Sequence, residues 1–224
     1  MTVIDKIIAA ITPLPSPEAR AGARDAARHV ARPGDWFSNI LDQHERIEAA
    51  FATLKAAAPG DRPSALKELG ALLNGHAMAE EAVIYPTLAA AGAMISADAA
   101  YVEQIGLKLR TAELERLDPA SDAFREKLDH LEGAVTHHAF EEESQWLPDL
   151  ARKASMADQA TATQRFAEEF DRYMRGGTRG DGAEPLDRRH AVVPVEPRSF
   201  GDEPERRPGS TDIGTSDGPE GAHQ

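Results

Sequence analysis

Apolar residues recur every three or four positions in four long stretches of the chain. These stretches cover residues 35–57, 63–90, 96–117 and 122–153. Such spacing places the apolar side chains on one face of an α-helix. The breaks between the stretches are short, and short connections between long helices favour antiparallel neighbours. The pattern therefore predicts an all-α protein whose central domain, residues 35–153, is an up-down antiparallel four-helix bundle.

Segments of different character flank this predicted bundle. Residues 1–34 are expected to form an N-terminal extension with one helix, for which Ser16 is the N-cap and Pro17 the first residue. Residues 154–175 are expected to form an appended amphipathic helix. The segment 176–224 is rich in Gly, Pro, Arg and Asp and lacks apolar periodicity, so we expect a disordered tail.

The second and fourth stretches repeat each other without a gap. The repeat pairs Leu66, Leu69, Leu73, His76, Glu80 and Ile84 with Leu128, Leu131, Val135, His138, Glu142 and Trp146. Steps of three and four residues place the His and Glu of each copy on the same helical stripe as its leucines. That stripe should face the core. The first and third stretches repeat as well, and His44 of the first corresponds to Gln104 of the third.

Two glutamates on a core-facing stripe need a compensating charge. Burying a carboxylate costs on the order of several kcal/mol unless it is paired or bound to a metal ion. A His and a Glu four residues apart project side by side, so each helix can offer a nitrogen and an oxygen to one centre. We therefore expect a metal site made of His76, Glu80, His138 and Glu142, with His44 as a terminal ligand. The two carboxylates could bridge two ions.

The chain contains no cysteine, which leaves only nitrogen and oxygen ligands for a metal ion. A ligand set of imidazoles and carboxylates suits iron, with manganese or zinc as less favoured ions. Two ions are expected, with one as the alternative.

The motifs of this pattern resemble those of the hemerythrin-like family, also described by its His-His-Glu (HHE) cation-binding motif. The resemblance covers residues 35–151 and is carried by Asp42-Gln43-His44, by His76-Ala77-Met78-Ala79-Glu80-Glu81 before Tyr85-Pro86, and by His138-Ala139-Phe140-Glu141-Glu142-Glu143 before Leu147-Pro148. It implies a four-helix bundle with a non-haem di-iron site that binds dioxygen or a related small species. It also implies a role in oxygen carriage, oxygen or redox sensing, iron handling or oxidative stress.

The chain departs from this family in the third helical stretch, where Gln104 stands in place of a histidine. Gln104 is expected either to bind metal weakly through its carbonyl oxygen or to close the site by hydrogen bonding. Glu103 could bind only if the helix rotated, and Lys108 could bring a positive charge toward the site. This departure favours a weakly held second ion, an added water ligand or peroxide chemistry over reversible oxygen carriage.

Several residues next to the stripe are assigned other roles. His137 and Glu141 form a rival His-x-x-x-Glu pair, which we place on the flank of the helix. Glu81 and Glu143 are expected to point outward or to accept hydrogen bonds from the ligands. Tyr85 is expected to pack in the core, with the rim of the site as the alternative.

The net charge and the hydropathy of the chain argue against some classes of binding partner. The net charge of −13 and the pI near 5.0 argue against nucleic acid or an anionic membrane as a partner. No apolar run approaches the roughly 20 residues that span a bilayer, so we expect a cytoplasmic protein. The sequence does not indicate an oligomeric state.

The resulting hypothesis is a non-haem iron protein that interacts with dioxygen or peroxide, with weak peroxidase- or catalase-like activity as an extension. One alternative is an iron- or redox-sensing or iron-handling module without turnover. Another is a metal-depleted helical scaffold for interactions.

Overall fold

A computed structural model of the chain describes residues 14–177, which are almost entirely helical and contain no β-strand. The helices are α1 (Pro17–Val30), α2 (Trp36–Ala56), α3 (Arg62–Ala79), α4 (Tyr85–Ala90), α5 (Met94–Leu114), α6 (Asp122–Glu141), α7 (Leu147–Lys153) and α8 (Met156–Gly177). The predicted all-α class is confirmed. Residues 1–13 of the predicted N-terminal extension and the predicted tail beyond residue 177 lie outside the described residues.

The helix starts follow the chemistry of their capping residues. Ser16 is the N-cap of α1 and accepts a hydrogen bond from the backbone N–H of Ala19 at 3.2 Å, with Pro17 at the first position as predicted. Asp35 caps α2 and Ser121 caps α6 in the same way. Each cap satisfies an N–H group that the first helical turn leaves without a partner.

The second and fourth predicted helices are each interrupted by one π-helical segment. These segments are Glu80–Ile84, between α3 and α4, and Glu142–Trp146, between α6 and α7. The N–H of Tyr85 donates to the carbonyl of Glu80, five residues back, and Leu147 repeats this bond with Glu142. The prediction of continuous α-helices is wrong at these positions.

A proline follows each π segment and supplies the physical reason. Pro86 and Pro148 stand at the second position of α4 and α7. A proline inside an α-helix lacks the N–H, and its ring clashes with the carbonyl four residues earlier. The wider π turn accommodates this clash, and such bulges are common at functional sites.

The helices pack together as a bundle around one apolar core. The α2 helix packs against α3, and α5 packs against both α4 and α6. Large, fully buried side chains fill the interior, among them Trp36, Phe37, Phe51 and Phe124. No helix among residues 14–177 is long and apolar enough to cross a membrane.

The last helix, α8, is part of this core. It packs against α2 and α3, and it buries Ala162, Phe166 and Phe170. Gly75 of α3 allows a close approach, since a Cβ at this position would lie 3.2 Å from the side chains of Tyr173 and Met174. The helix expected as an appendage therefore contributes apolar burial to the bundle.

We expect Phe166→Ala to lower the free energy of unfolding by about 3–5 kcal/mol, because it removes a fully buried aromatic ring and leaves a cavity. Urea denaturation followed by circular dichroism would measure the change. Arg165→Ala, one position earlier on the exposed side of α8, is the control and should change stability by less than about 0.5 kcal/mol. Equal stability of the two variants would show that α8 does not contribute to the core.

Candidate metal centre

Four of the predicted ligands lie close together inside the bundle. His44, His76, Glu80 and Glu142 are all buried, and each offers one ligand atom within 4.8 Å of the others. His44 comes from the middle of α2 and His76 from the last turn of α3. Glu80 and Glu142 are the first residues of the two π segments. This cluster is compatible with a bound metal ion.

The outer nitrogen of each predicted imidazole ligand is held by a polar side chain. Nδ1 of His44 lies 2.8 Å from Glu143, Nδ1 of His76 lies 2.8 Å from Gln43, and Nδ1 of His138 lies 2.7 Å from Glu103. A carboxylate can only accept, so Nδ1 donates to Glu143 and to Glu103. Partners of this kind fix the tautomer and the ring orientation of metal-binding histidines.

The inner nitrogens, Nε2, face the two central carboxylates. Nε2 of His76 lies 3.2 Å from Oε1 of Glu80, and Nε2 of His44 lies 3.2 Å from Oε2 of Glu142. Within the described residues, neither of these two oxygens nor Nε2 of His44 has a hydrogen-bond partner of good geometry. Both glutamates are 0% exposed.

A buried hydrogen-bond acceptor without a partner destabilises the folded state. Several such atoms at one location therefore indicate whether a cation fits there. Imidazole nitrogens and carboxylate oxygens are the donors that iron, manganese and zinc accept. The unpartnered oxygens of Glu80 and Glu142 and Nε2 of His44 point to one location. The residues therefore fit a divalent or trivalent metal ion.

The other oxygens of the same carboxylates face Tyr85, which lies inside the site and is not simple core packing. Its hydroxyl is 3.2 Å from Oε2 of Glu80, from Oε1 of Glu142 and from Nε2 of His138. Nε2 of His138 is also 3.4 Å from Oε1 of Glu142. The sequence predicted for Tyr85 only an alternative place at the rim, because a residue five positions after Glu80 lies off the ligand stripe of a regular α-helix.

Gln104 closes this side of the site by hydrogen bonding. Its side-chain amide donates to Oε2 of Glu80 at 2.8 Å and contacts the hydroxyl of Tyr85 at 3.0 Å. Lys108, one turn further along α5, has its ammonium group 2.6 Å from Glu81 and thus forms an ion pair. The positive charge of Lys108, which was expected to lie toward the centre, is therefore paired with the carboxylate of Glu81.

Residues around the ligands also tie the centre to α1. Glu143 accepts hydrogen bonds from Arg24 of α1 as well as from His44, and the closest Arg24 contact is 2.8 Å. Glu143 is thus a hydrogen-bond acceptor for the predicted ligand His44, one of the two roles expected for it. By contrast, His137 pairs with Glu141 at 3.4 Å on the half-buried flank of α6.

The pKa values show how protons occupy the centre when no cation is bound. Burial alone would lower the pKa of His44, but Glu142 and Glu143 raise it to about 10. Burial likewise opposes the charged form of His138, but Glu142 and Glu103 raise its pKa to about 9. Burial and the charge of His44 lower the pKa of His76 to about 3.

The two central carboxylates ionise differently. Burial and the negative charge of Glu142 raise the pKa of Glu80 well above its usual value. Burial opposes ionisation of Glu142 as well, but the charges of His138 and His44 lower its pKa. Burial and the nearby glutamates raise the pKa of the Tyr85 hydroxyl, so it remains a neutral donor in the metal-free protein.

A small cavity lies beside the imidazoles. Its volume is about 20 Å³, and its lining includes His44, His76, Gln104, Leu107, Thr111 and His138. A volume of this size holds a molecule comparable to one water. A second cavity of about 140 Å³ reaches His44 from the side of Arg20 and Glu48. Both cavities border His44, and the smaller one suits only a very small ligand.

The comparisons with known proteins agree with this geometry. The family model described as Hemerythrin HHE cation binding domain matches residues 37–150. That range includes every residue predicted to bind the metal. Searches of curated proteins and of solved structures find no significant match.

We expect metal binding at neutral pH to release protons. The raised pKa values of His44 and His138 mean that both rings are protonated near pH 7, and a ring must lose a proton before Nε2 can bind metal. Affinity should therefore rise as the pH increases toward 9. Calorimetric titration with Zn²⁺ in two buffers of different ionisation enthalpy measures the released protons. Heats that do not depend on the buffer would contradict this prediction.

Proposed function

This chain belongs to the hemerythrin HHE cation-binding domain family, and on that premise we propose that it is a non-haem di-iron protein that binds dioxygen or peroxide. We propose that residues 35–153 form an up-down antiparallel four-helix bundle around the metal site. Residues 1–34 would be an N-terminal extension, and residues 154–175 an additional helix. The proposed tail, 176–224, falls almost wholly outside the described residues.

The positions of the carboxylate oxygens of Glu80 and Glu142 are the main support for two metal positions. Oε1 of Glu80 and Oε2 of Glu142 face Nε2 of His76 and of His44, respectively. The remaining oxygen of each carboxylate faces the hydroxyl of Tyr85, which in turn lies beside Nε2 of His138. Each glutamate thus has one oxygen on either side, as a carboxylate that bridges two ions requires.

These contacts support a division of the predicted ligands between two metal positions. His44 and His76 would bind the ion at the first position, and His138 would bind the ion at the second. Gln104 has its amide nitrogen directed toward Glu80. It would close the second position by hydrogen bonding, or rotate its side chain to offer the carbonyl oxygen as a weak ligand.

When bound, two iron ions supply reversible one-electron changes and open coordination positions for a small oxygen species. The protein's own residues hold and orient that chemistry. Glu143, Gln43 and Glu103 fix the three imidazole rings through Nδ1. Leu107 and Leu73 line the small cavity with apolar surface, which limits the entry of water. The cavity volume of about 20 Å³ favours dioxygen or peroxide over larger substrates.

A second candidate function is iron or redox sensing without turnover, and one contact favours it. Arg24 of α1 bonds to Glu143, and Glu143 bonds to the ligand His44. A change in the metal state at His44 would therefore be transmitted through Glu143 and Arg24 to α1. Peroxide turnover by the iron-loaded protein would favour the first function over this one.

We expect protein purified anaerobically to contain close to two irons per chain and to gain a near-ultraviolet band when exposed to air. Elemental analysis and absorption spectra would measure both. His138→Ala should lower the iron content, whereas His137→Ala, the adjacent histidine on the flank, should leave it unchanged. One iron or less in the unmodified protein after reconstitution, or equal loss in both variants, would contradict the proposed site.

A further inference from the structure

Tyr85 is surrounded by the groups that would bind the second metal ion. Its side chain is buried, and its oxygen lies 3.2 Å from each of three atoms: Oε2 of Glu80, Oε1 of Glu142 and Nε2 of His138. The amide nitrogen of Gln104 lies 3.0 Å away on the remaining side. The phenol oxygen therefore stands among the atoms assigned above to one metal position.

The phenol oxygen has four polar neighbours, and three of them are atoms assigned above as metal ligands. A tyrosine hydroxyl donates a single hydrogen bond, yet two carboxylate oxygens and one imidazole nitrogen lie at equal distance from it. Structural tyrosines in a core usually have one partner for the hydroxyl. The partly buried Tyr101 has such a partner within the described residues, since its hydroxyl donates to the backbone carbonyl of Glu81 at 2.8 Å. The arrangement around Tyr85 instead resembles a set of converging metal ligands.

We propose that Tyr85 is itself a ligand of the second metal ion, which its phenolate oxygen binds together with His138 and the outer oxygens of Glu80 and Glu142. This inference rests on the proposed di-iron function. On binding, the O–H bond of the phenol breaks, the oxygen bonds to the metal ion, and the proton passes to solvent. No electron transfer accompanies this step.

The repeat in the chain explains why one half of the site would need a tyrosine. His44 of the first half corresponds to Gln104 in the second, so the second half lacks one imidazole. Tyr85 corresponds to Leu147, 62 positions later, which has no polar atom to offer. The phenol oxygen therefore stands on the side of the centre where the histidine is missing, and it has no counterpart at the other position.

Packing holds the Tyr85 ring in place. The ring meets that of Tyr101 edge to face, with centroids 5.1 Å apart and an interplanar angle of 81°. The π segment before Tyr85 also sets its direction, because the extra residue in the turn changes where the next side chain points. The oxygen is thus fixed before a metal ion binds, which lowers the entropic cost of binding.

An anionic oxygen ligand on one side only makes the two metal positions unequal. Hard oxygen donors favour the ferric over the ferrous ion. The second ion should therefore resist reduction more than the first, which favours peroxide chemistry over reversible oxygen carriage. The nearby metal charge also reverses the local preference for the neutral phenol.

The test is an absorption and resonance Raman spectrum of the full-length protein loaded with iron and oxidised, together with iron content per chain. The unmodified protein should show a visible tyrosinate-to-iron(III) charge-transfer band with tyrosine ring modes in resonance. Tyr85→Phe should lose this band. Tyr101→Phe, which removes a neighbouring phenol that contacts the backbone of Glu81, should keep it. Circular dichroism checks that both variants remain folded.

The outcomes separate this inference from the di-iron proposal. Loss of the band in Tyr85→Phe alone supports ligation, whether the iron content stays near two or falls toward one. Two irons without a tyrosinate band in the unmodified protein would overturn the role of Tyr85 and leave the di-iron site intact. A band that survives in Tyr85→Phe would do the same. Failure of the unmodified protein to bind iron would instead contradict the proposed function itself.

Discussion

Two carboxylates buried at the centre of an apolar bundle are the constraint on which the rest of the structure depends. Glu80 and Glu142 are fully buried, and one oxygen of each has no hydrogen-bond partner among residues 14–177. Such groups destabilise a fold by on the order of several kcal/mol each unless a cation or protons compensate them. The three surrounding histidines and the acceptors that hold their outer nitrogens meet this requirement.

The metal-free and metal-bound states meet this constraint in different ways. Without a cation, protons on His44, His138 and Glu80 neutralise the cluster, as the directions of their pKa shifts indicate. With a cation, those protons leave and the same atoms become available as ligands. The histidines need not move far, because Glu143 and Glu103 already hold their outer nitrogens. The predicted ligands are thus held in this arrangement before any cation binds.

Periodicity and the internal repeat predicted the all-α class, the limits of most helices and the grouping of His44, His76, Glu80 and Glu142. These features depend on residues a few positions apart, which a single sequence displays. Contacts between distant helices were harder to predict. Glu143 and Glu103 reach His44 and His138 from other helices, and the choice between an outward and an inward position depends on helix rotation. The roles of all these residues as metal ligands remain predictions.

The π segments were also not predictable from the sequence, although they depend on residues close together in the chain. Pro86 and Pro148 each lie six residues after a central glutamate, and they fall off the stripe that the other repeat members share. A proline inside a helix predicts a break or a kink, but not that the chain adds one residue to the turn and continues. That added residue determines where Tyr85 points, which is why its hydroxyl could not be placed in the site beforehand.

The most direct test of the account is a crystal structure of the iron-loaded protein with anomalous scattering recorded at the iron edge. The account predicts two anomalous peaks about 3.5–4 Å apart, as in other two-metal sites, with Glu80 and Glu142 between them. One peak should lie next to His44 and His76, and the other next to His138. A single peak, or iron bound away from these glutamates, would contradict it.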